Sequence, residues 1–562
     1  MTTPVQSERN RRLLLVFLIG VVIALGYGGT LAHRFIWDDE WLVLDNPQLS
    51  SPSLKIFTHP LKIPDPETPM YYRPLQVVSY LMDYSLWGFR PVGYHLTSLF
   101  LHGLNLFLII LLLWRVASAP QIVSAGIAVA YGLHPWHVPT VAYVSGRADL
   151  LAVAGLLLML LFYWRGKLFA AVLSLSAALL SKETGLIGLP LVVLMAFEKA
   201  QWNYKAVDWK ALRPFLGVGL IYLFWRLMLQ ASLPVFQSPQ SFHERLAMLP
   251  FILATDLRLF FFSFDPQLRR VILPPSSLWM GWSAGILLLS VLLCIIRFWR
   301  RVPWSRFWLG WIFVTLLPTL HLLFPLKYSL ADHWLVLPGI GMCGLIAQGY
   351  SHLSWRKGKR WIVCFLLAWG MGNFFMTRVY ARQWSSSFTL YPYLLSRNPS
   401  EVKIRLAYGD KLLSVGRFAD CIEQSAQVLA QRPLNGKNGH SLEEMAWVEM
   451  SRASVAQGRL PQAFWAAQEA AAIQGSPISY AALGLVYFQK GNDKLAESAF
   501  IKSVELDPTF ELGWTSLGHF YYERRRWKQA VGAYSRLVHL RPDSSQYRQW
   551  LADACLENGK SK

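Results

Sequence analysis

Charge and cysteine are both scarce in this chain, and acidic side chains are fewer than basic ones. Only 15% of the 562 residues are charged, and 33 Asp and Glu stand against 54 Lys and Arg. The five cysteines are Cys294, Cys343, Cys364, Cys421 and Cys555. Their spacing fits neither a zinc motif nor a disulfide framework, so neither is expected. Instead, 54% of the residues are hydrophobic and the mean hydropathy is +0.31, which is typical of a protein embedded in a lipid bilayer.

The net charge of +21 is distributed in a way that argues against nucleic acid as a partner. The basic residues form short clusters between apolar runs, at 9–12, 165–167, 205–213, 297–306 and 356–360. Loops rich in Lys and Arg are retained in the cytoplasm, so such clusters mark the cytoplasmic ends of membrane helices. The expected surroundings are therefore a lipid bilayer.

Apolar runs predict about eleven membrane-spanning helices. They lie near 13–32, 95–115, 120–141, 148–164, 168–181, 184–198, 213–232, 278–298, 307–325, 334–350 and 361–378. The first is predicted to be a retained anchor, because no small-residue cleavage site follows it. With residues 9–12 in the cytoplasm, this count places every basic cluster on the cytoplasmic side. Segment 250–264 carries Asp256 and Arg258 and is predicted to be an interfacial or re-entrant helix. If segment 250–264 crossed the membrane instead, every later segment would lie on the opposite side from the one predicted.

The predicted topology gathers the conspicuous polar residues on the outer face. The first outer loop, 33–94, carries Trp37-Asp38-Asp39-Glu40 directly after the first span. Neighbouring carboxylates raise one another's pKa, so one of them is suited to act as a base; the alternative is a solvated loop that caps a helix. The other candidates on this face are Arg73, His95, Arg147, Asp149, Lys182, Glu183, Asp332 and His333. Ionisable residues at the ends of membrane helices indicate function, although a Lys or Arg can also simply snorkel to the interface.

The last third of the chain is polar and repeats with a period of 34 residues. The repeating pairs are Gly484 and Gly518, Tyr487 and Tyr521, Ala496 and Ala530, and Pro508 and Pro542. This period predicts tetratricopeptide (TPR) helix pairs, with looser copies at 401–434 and 443–476 and a capping helix at 545–558. The predicted organisation is a membrane domain over 1–378, a linker over 379–400 and a TPR array over 401–562.

The order of the motifs along nearly the whole chain resembles the transmembrane-and-TPR protein O-mannosyltransferases and their bacterial relatives. The matching motifs are Asp38-Asp39 with Asn46-Pro47, Tyr72-Arg73-Pro74, Gly93-Tyr94-His95-Leu96, His134-Pro135, Ser145-Gly146-Arg147-Ala148-Asp149, Ser181-Lys182-Glu183 and Leu335-Val336-Leu337-Pro338. Two positions depart from the family. Asp332-His333 stands where the eukaryotic proteins tend to carry Glu-Arg, and Thr140 stands where an acidic residue is common. Both departures concern the sugar and the acceptor more than the reaction class.

The resemblance implies an all-α fold: a polytopic membrane domain of the GT-C glycosyltransferase class, followed by a TPR α-solenoid. It also implies inverting transfer from a polyprenyl-phosphate-linked sugar donor. Such transfer needs a base for the acceptor hydroxyl, expected at Asp39 or Asp38, and cations for the departing phosphate, expected at Arg147 and Lys182 with Arg73 as a third. The expected substrate-binding residues are Glu40, Glu183, His95, Asp149, Asp332 and His333. A divalent cation, Mg²⁺ or Mn²⁺, on Asp38 and Asp39 stays open.

The acceptor is also left open by the sequence. A TPR groove suits an extended polypeptide, which favours a protein acceptor or partner over a lipid or glycan acceptor. A non-catalytic membrane scaffold that recruits partners through its TPRs is the alternative from another class. The expected location is a bacterial inner membrane, with a cytoplasmic N-terminus and periplasmic TPRs. An endoplasmic reticulum membrane with luminal TPRs obeys the same topology.

Overall fold

The computed structural model describes residues 19–50, 52–62, 70–229, 241–272, 305–323, 325–326, 329–431, 439–542 and 544–560, and single residues between 279 and 302. It divides into two compact units, Met1–Ser386 and Ser387–Lys562. The predicted all-α class is confirmed. The only strands in the described part are β1 (Leu61–Lys62) and β2 (Met70–Tyr71), which pair antiparallel with Leu61 opposite Tyr71.

The first unit is a bundle of helices joined by short turns. Its helices are α1 (Ile19–Ala32), α2 (Pro74–Trp87), α3 (Pro91–Arg115), α4 (Gln121–Gly132), α5 (Arg147–Trp164), α6 (Leu168–Ser181), α7 (Gly188–Lys199), α8 (Trp209–Met228), α9 (Phe242–Phe261), α10 (Arg306–Leu316), α11 (Val336–His352) and α12 (Arg356–Gln383). Single helical turns lie at Glu40–Leu44, Pro47–Ser50, Leu54–Phe57, Pro135–His137, Val138–Val141, Val144–Gly146, Glu183–Ile187, Tyr204–Ala206, Leu317–Thr319 and Asp332–Leu335.

Within the described residues, four helical segments are long and apolar enough to cross a membrane. They are α3, α8, α12 and the segment Val144–Trp164, which contains α5, while α1, α4 and α6 are apolar but shorter. These helices make the chain a membrane protein, and the number of about eleven spans stays a prediction. Most of the predicted span 278–298, the ends of spans 13–32, 213–232 and 307–325, and the basic residues at 9–12 lie outside the described residues.

Local sequence explains where several of these helices begin. Pro74 and Pro91 stand in the first turns of α2 and α3, where a missing N–H costs no intrahelical hydrogen bond. Asp208 caps α8 by accepting hydrogen bonds from the next backbone N–H groups. Ser241 and Glu244 form a capping box at the start of α9, which extends the predicted segment 250–264 towards its N-terminal side.

The segment between α1 and α2 folds into a layer with its own apolar core. Leu42 and Val43 of the turn Glu40–Leu44 are buried together with Val77 and Tyr80 of α2. Burial of such side chains is the main force that orders a loop of this kind. The core therefore fixes the chain immediately after Asp38-Asp39-Glu40, and β2 leads directly into Arg73.

Helices α5 and α6 form the tightest pair around the candidate residues. A Cβ at Gly155 of α5 would lie 2.9 Å from the Cβ of Ala178 in α6, so the absence of a side chain permits this approach. Gly166, at φ +74°, makes the turn between the two helices in a conformation that favours glycine. The pair ends at the Ser181-Lys182-Glu183 motif.

The second unit is a row of helix pairs, as the 34-residue period predicts. It starts with α13 (Ser387–Arg397), inside the segment predicted as a linker. It continues through α14 (Val402–Ser414), α15 (Phe418–Leu429), α16 (Gly439–Ala456), α17 (Leu460–Ile473), α18 (Pro477–Gln489), α19 (Asp493–Leu506), α20 (Glu511–Glu523), α21 (Trp527–Leu540) and the last helix, α22 (Ser545–Lys560). Helices α14 to α21 form four pairs, and α22 packs its Ala554 into the core of the last pair. This is the predicted TPR α-solenoid.

Small residues set the packing inside the pairs. A Cβ at Gly484 would meet the ring of Phe500 at 2.5 Å, and one at the equivalent Gly518 would meet the ring of Tyr534 at 2.5 Å. The repeated aromatic ring on the second helix therefore lies against the bare backbone of the first. Both repeats therefore have glycine at this position, where any side chain would collide with the ring.

Candidate active site

Asp39 is the most enclosed of the predicted acidic residues. Its side chain is fully buried, and its Oδ1 accepts hydrogen bonds from the backbone N–H of Ser145 at 2.7 Å and from the Ser145 hydroxyl at 2.5 Å. Its Oδ2 accepts a longer bond from the N–H of Ile36, at 3.3 Å. Burial raises the pKa of Asp39 to about 7, and the charge of Asp38 adds to this, although the hydrogen bonds oppose it. Asp39 thus ties the acidic loop to the Ser145 motif.

Asp38 and Glu40 lie on either side of this anchor and are only half-buried. The backbone N–H of Asp38 donates to the hydroxyl of Tyr143, at 3.1 Å. Glu40 opens the turn Glu40–Leu44, and its carbonyl accepts from the N–H of Asp45 at 2.7 Å. Of the two aspartates predicted as the base, only Asp38 is accessible to a substrate hydroxyl.

Arg73 and Glu183 form a bidentate ion pair across 110 residues of sequence. Arg73 Nη2 donates to Glu183 Oε1 at 2.8 Å and Nε to Oε2 at 3.2 Å, which is the two-point geometry a guanidinium favours with a carboxylate. A third donor, Nη1, bonds the hydroxyl of Tyr71 at 2.9 Å. Burial alone would raise the pKa of Glu183, but Arg73, Arg226 and Lys182 outweigh it and hold that pKa well below its usual range.

Tyr71 connects this ion pair to the acidic loop. Burial raises the pKa of Tyr71 to about 12, with the charge of Arg73 opposing and those of Glu183 and Asp38 adding to the rise. Charges act strongly only over short distances, so the charges of Asp38 and of the Arg73–Glu183 pair both reach the Tyr71 hydroxyl, to which Arg73 donates. The first loop and the Ser181-Lys182-Glu183 motif therefore meet, as their common predicted face requires.

Lys182 and Asp149 form a second ion pair beside the first. Lys182 Nζ lies 2.6 Å from Asp149 Oδ1, and the two side chains are 15% and 21% exposed, so the pair borders solvent. His333 lies within reach of the same charges. Burial lowers its pKa to about 4; Asp149 opposes this, and Lys182 and Arg269 add to it. The charges of Lys182 and Asp149 therefore act on the His333 ring.

Arg147 differs from the expectation of a phosphate ligand. Its side chain is fully buried, and Nη1 lies 2.6 Å from Oδ2 of Asp83, which is 4% exposed. Nη2 donates to the carbonyl of Tyr94 at 2.7 Å, and Nη1 also bonds the Ser79 hydroxyl at 3.2 Å. A guanidinium enclosed in this way joins α2, α3 and α5 and offers no surface to a donor phosphate. His95, next to Tyr94, belongs to this enclosed region: it is buried and faces His33 edge-on, with ring centroids 5.9 Å apart.

Asp332 is held by an arginine. Its two carboxylate oxygens accept from Nε and Nη2 of Arg270, at 2.5 Å and 2.9 Å, and Oδ2 also accepts from the N–H of Gln267 at 2.8 Å. Burial raises the pKa of Asp332, although Arg270 opposes the rise. Its role in this structure is to position the segments around it.

The acidic loop does not fit a divalent ion well. Among the described residues, no group of three or more His, Cys, Asp and Glu side chains lies close enough together to hold a metal. Both oxygens of Asp39 already accept hydrogen bonds, so only Asp38 of the predicted pair offers oxygen ligands of the kind that Mg²⁺ and Mn²⁺ prefer. The mechanism proposed below uses no metal.

Three residues of this site were not predicted. They are Tyr71, Arg226 and Arg269. Arg226 lies in α8, and its Nη1 is 3.7 Å from Glu183 Oε2. Its presence in an apolar span was a signal, since an arginine at membrane depth is rarely there by chance. The sequence around Arg269 carries no comparable signal.

Comparison with known proteins supports the resemblance stated above. No protein-family model matches the chain. The protein O-mannosyl-transferase TMTC4 of Mus musculus is 25% identical over 493 residues, which cover 72% of this chain and 65% of that protein. The protein O-mannosyl-transferase TMTC3 of Homo sapiens is 23% identical over 603 residues, which cover 94% of this chain and 64% of that protein. The chain thus spans less than two thirds of the length of these curated relatives.

The solved structures that match this chain include TPR proteins. A thermophilic TPR protein of Thermus thermophilus is 20% identical, with a TM-score of 0.27, and the match covers 34% of this chain and 95% of that one. The TPR assignment rests on the helix pairs and the period described above. Over most of its length, the chain is similar to the protein O-mannosyl-transferases of the transmembrane-and-TPR group, as its motifs predict.

Proposed function

We propose that this protein is a GT-C-type membrane glycosyltransferase that transfers a sugar from a polyprenyl-phosphate-linked donor to hydroxyl groups of a protein acceptor. The observation that carries the proposal is the position of Asp38. The charge of this half-buried carboxylate acts on Tyr71, whose hydroxyl accepts from Arg73 of the Arg73–Glu183 ion pair. Lys182, next to Glu183 in sequence, forms a further ion pair with Asp149. A base and cations on one accessible face are what transfer from a lipid phosphate to a hydroxyl requires.

Asp38 is the proposed base and Asp39 its positioning residue. The acceptor hydroxyl gives its proton to the Asp38 carboxylate while its oxygen bonds to the anomeric carbon of the sugar. The bond from that carbon to the phosphate oxygen breaks, and the polyprenyl phosphate departs with the electron pair. One direct displacement inverts the anomeric carbon, whereas retention would need a second carboxylate acting as a nucleophile. Asp39, buried and bonded to Ser145, holds Asp38 in place without touching substrate.

Lys182 and Arg73 are the proposed ligands of the donor phosphate. Arg73 has five N–H donors, of which three are used by Glu183 and Tyr71, and the Lys182 ammonium has three donors, of which Asp149 takes one. Both cations therefore keep donor capacity while their partner carboxylates fix their direction. Glu183, Asp149 and His333 are proposed to border the sugar, and Glu40 the acceptor.

The acceptor and the location are proposed on separate grounds. The TPR unit supports a polypeptide, because an α-solenoid presents an extended surface to which an extended chain can bind. The names of the relatives, protein O-mannosyl-transferases, support the same acceptor class. A lipid or glycan acceptor and a non-catalytic scaffold remain the alternatives. The basic clusters support a cytoplasmic N-terminus with the TPR unit on the opposite side of the membrane. The proposed membrane is a bacterial inner membrane with a periplasmic TPR unit, and an endoplasmic reticulum membrane with a luminal TPR unit is the alternative.

Transfer in proteoliposomes tests this proposal. The purified full chain is supplied with a radiolabelled hexosyl polyprenyl phosphate and with periplasmic proteins, and label in protein and in lipid is counted separately. The wild type is expected to label protein, and Asp38→Asn to lower the rate by at least about a hundredfold, which is the usual contribution of a general base. The matched control is Asp45→Asn, because Asp45 is an exposed carboxylate of the same loop and should leave the rate unchanged. Label in lipid alone would reject the protein acceptor, and equal rates for wild type and Asp38→Asn would reject the base.

A further inference from the structure

Gln76 is a fully buried amide in the first turn of α2, three residues after Arg73. Its Nε2 donates to the carbonyl of Ser145 at 2.8 Å and to the hydroxyl of Tyr80 at 2.6 Å. Its Oε1 accepts from the hydroxyl of Tyr71 at 2.5 Å. Both N–H donors and the oxygen of this amide are therefore bonded inside the protein, and a side chain enclosed in this way does not contact a substrate.

The orientation of the Gln76 amide is determined by its neighbours. A backbone carbonyl only accepts hydrogen bonds, so the group that faces the carbonyl of Ser145 must be the NH2. The Tyr80 hydroxyl requires the same orientation. Its own proton goes to the carbonyl of Val144, at 3.2 Å, which leaves its oxygen to accept from Gln76. The amide oxygen of Gln76 consequently faces Tyr71.

This orientation decides the direction of the hydrogen bonds that Tyr71 makes. An amide oxygen cannot donate, so the Tyr71 hydroxyl gives its single proton to Gln76. The phenol oxygen is then left to accept, and Nη1 of Arg73, which can only donate, lies 2.9 Å from it. A hydroxyl proton directed at the guanidinium would repel it. Gln76 thus keeps Tyr71 in the one orientation that binds Arg73.

The hydrogen bonds form a continuous series with a single direction. Arg73 donates to Tyr71, and Tyr71 donates to Gln76. Gln76 donates to the carbonyl of Ser145, whose N–H and hydroxyl both donate to Asp39. Hydrogen bonds in such a series strengthen one another, and the reversal of any one would bring two donors or two acceptors face to face. Gln76 is the buried centre of a direct connection between the acidic loop and the Arg73 cation.

We propose that Gln76 is a positioning residue for the donor phosphate, because through Tyr71 it fixes the direction of the Arg73 guanidinium. Glu183 holds one edge of that guanidinium, and Tyr71 holds a further N–H. Two of its five donors are then left for phosphate oxygens, and their direction is set by the three bonds already made. This inference rests on the proposed function, in which Arg73 binds the phosphate of the lipid-linked donor.

Equilibrium binding to the full-length protein in detergent tests the inference without any transfer reaction. The probes are a short polyprenyl phosphate and the matching polyprenol without phosphate. Gln76→Met keeps the size of the side chain and removes its hydrogen bonds, and Tyr71→Phe removes one hydroxyl. Each should weaken polyprenyl phosphate binding by about tenfold, the order of loss that follows when the partner orienting a ligand group is removed, and leave polyprenol binding unchanged. If the buried Gln76→Met does not fold, Tyr71→Phe tests the same connection at a half-buried ring.

The double variant separates positioning from packing. Two residues that act through one series of bonds are not additive, so Gln76→Met with Tyr71→Phe should lose no more affinity than the weaker-binding single variant. The matched control is Asn105→Leu, since Asn105 is also a buried amide of this unit, whose Nδ2 donates to the carbonyl of Leu150 at 2.9 Å. It should lower stability and bind both probes as the wild type does.

The inference is overturned if either single variant binds polyprenyl phosphate as the wild type does or loses polyprenol binding equally. Losses that multiply in the double variant overturn it as well, because the two residues would then act independently. Any of these results in a protein that still transfers sugar leaves the proposed function standing. The expected losses in a wild-type protein that transfers sugar from no donor would uphold the positioning of Arg73 and reject the proposed transfer.

Discussion

The buried carboxyl of Asp39 is expected to keep its proton until nearly neutral pH, and this has a measurable effect on stability. Its pKa is about 7 in the folded protein, against 3.8 for an unperturbed aspartic acid. Between these values the folded protein binds a proton that the unfolded chain has lost, so stability falls as the pH rises through this window. At about 1.4 kcal/mol per pH unit, the free energy of unfolding falls by about 4 kcal/mol in total. The side chain is fully buried, so solvent screening reduces this little.

Asp39→Asn is the perturbation that isolates this effect. The asparagine oxygen can still accept the backbone N–H of Ser145, but the amide has no proton to lose. Thermal unfolding of both proteins is followed from about pH 4 to about pH 8, where the wild type should lose stability relative to the variant. The difference between the wild type and the variant in the infrared band of protonated carboxylic acids should titrate with a midpoint near 7. Asp45→Asn should follow the wild type, because Asp45 is exposed. Parallel stability curves for Asp39→Asn and the wild type, or a midpoint near 4, would show that burial does not raise the pKa of Asp39.

Two further predictions concern packing. Arg147→Met should lower the free energy of unfolding by about 3–5 kcal/mol, because it leaves the buried carboxylate of Asp83 unpaired, and adding Asp83→Leu should recover much of this loss. Thermal unfolding that is unchanged by Arg147→Met would contradict a structural role for the Arg147–Asp83 pair. In the TPR unit, Gly518→Ala should lower the free energy of unfolding by about 1–3 kcal/mol and speed hydrogen exchange in α20, because the new Cβ meets Tyr534. Gly532→Ala, whose new Cβ has no atom within 4 Å, should slightly slow hydrogen exchange in α21. Equal exchange in both variants would show that Gly518 is not needed for close packing.

The repeat and the membrane character were predictable because each is a local pattern. The 34-residue period predicts helix pairs wherever it occurs, and the structure shows these pairs, with the repeated glycines against aromatic rings. The common face of Arg73, Lys182 and Glu183 followed from topology alone. The number of predicted spans between these motifs was enough to place them on the same side of the membrane.

The partners of the charged residues were not predictable in the same way. Arg147 meets Asp83 across 64 residues, and a guanidinium in an apolar motif reads the same whether it faces a ligand or a buried carboxylate. The sequence also does not show that, of the adjacent Asp38 and Asp39, it is Asp39 that is buried against Ser145.

Intact-protein mass spectrometry can show whether this site transfers a sugar to protein. Proteins of the compartment that faces the TPR unit are compared between cells carrying the wild-type chain and cells carrying Asp38→Asn, with Asp45→Asn as control and equal membrane levels of all three. If Asp38 is the base of this transfer, particular proteins should carry a hexose-sized mass increment in the wild type and in the control. The increment should be lost in Asp38→Asn. Identical masses in all three would contradict it and favour a lipid acceptor or a scaffold.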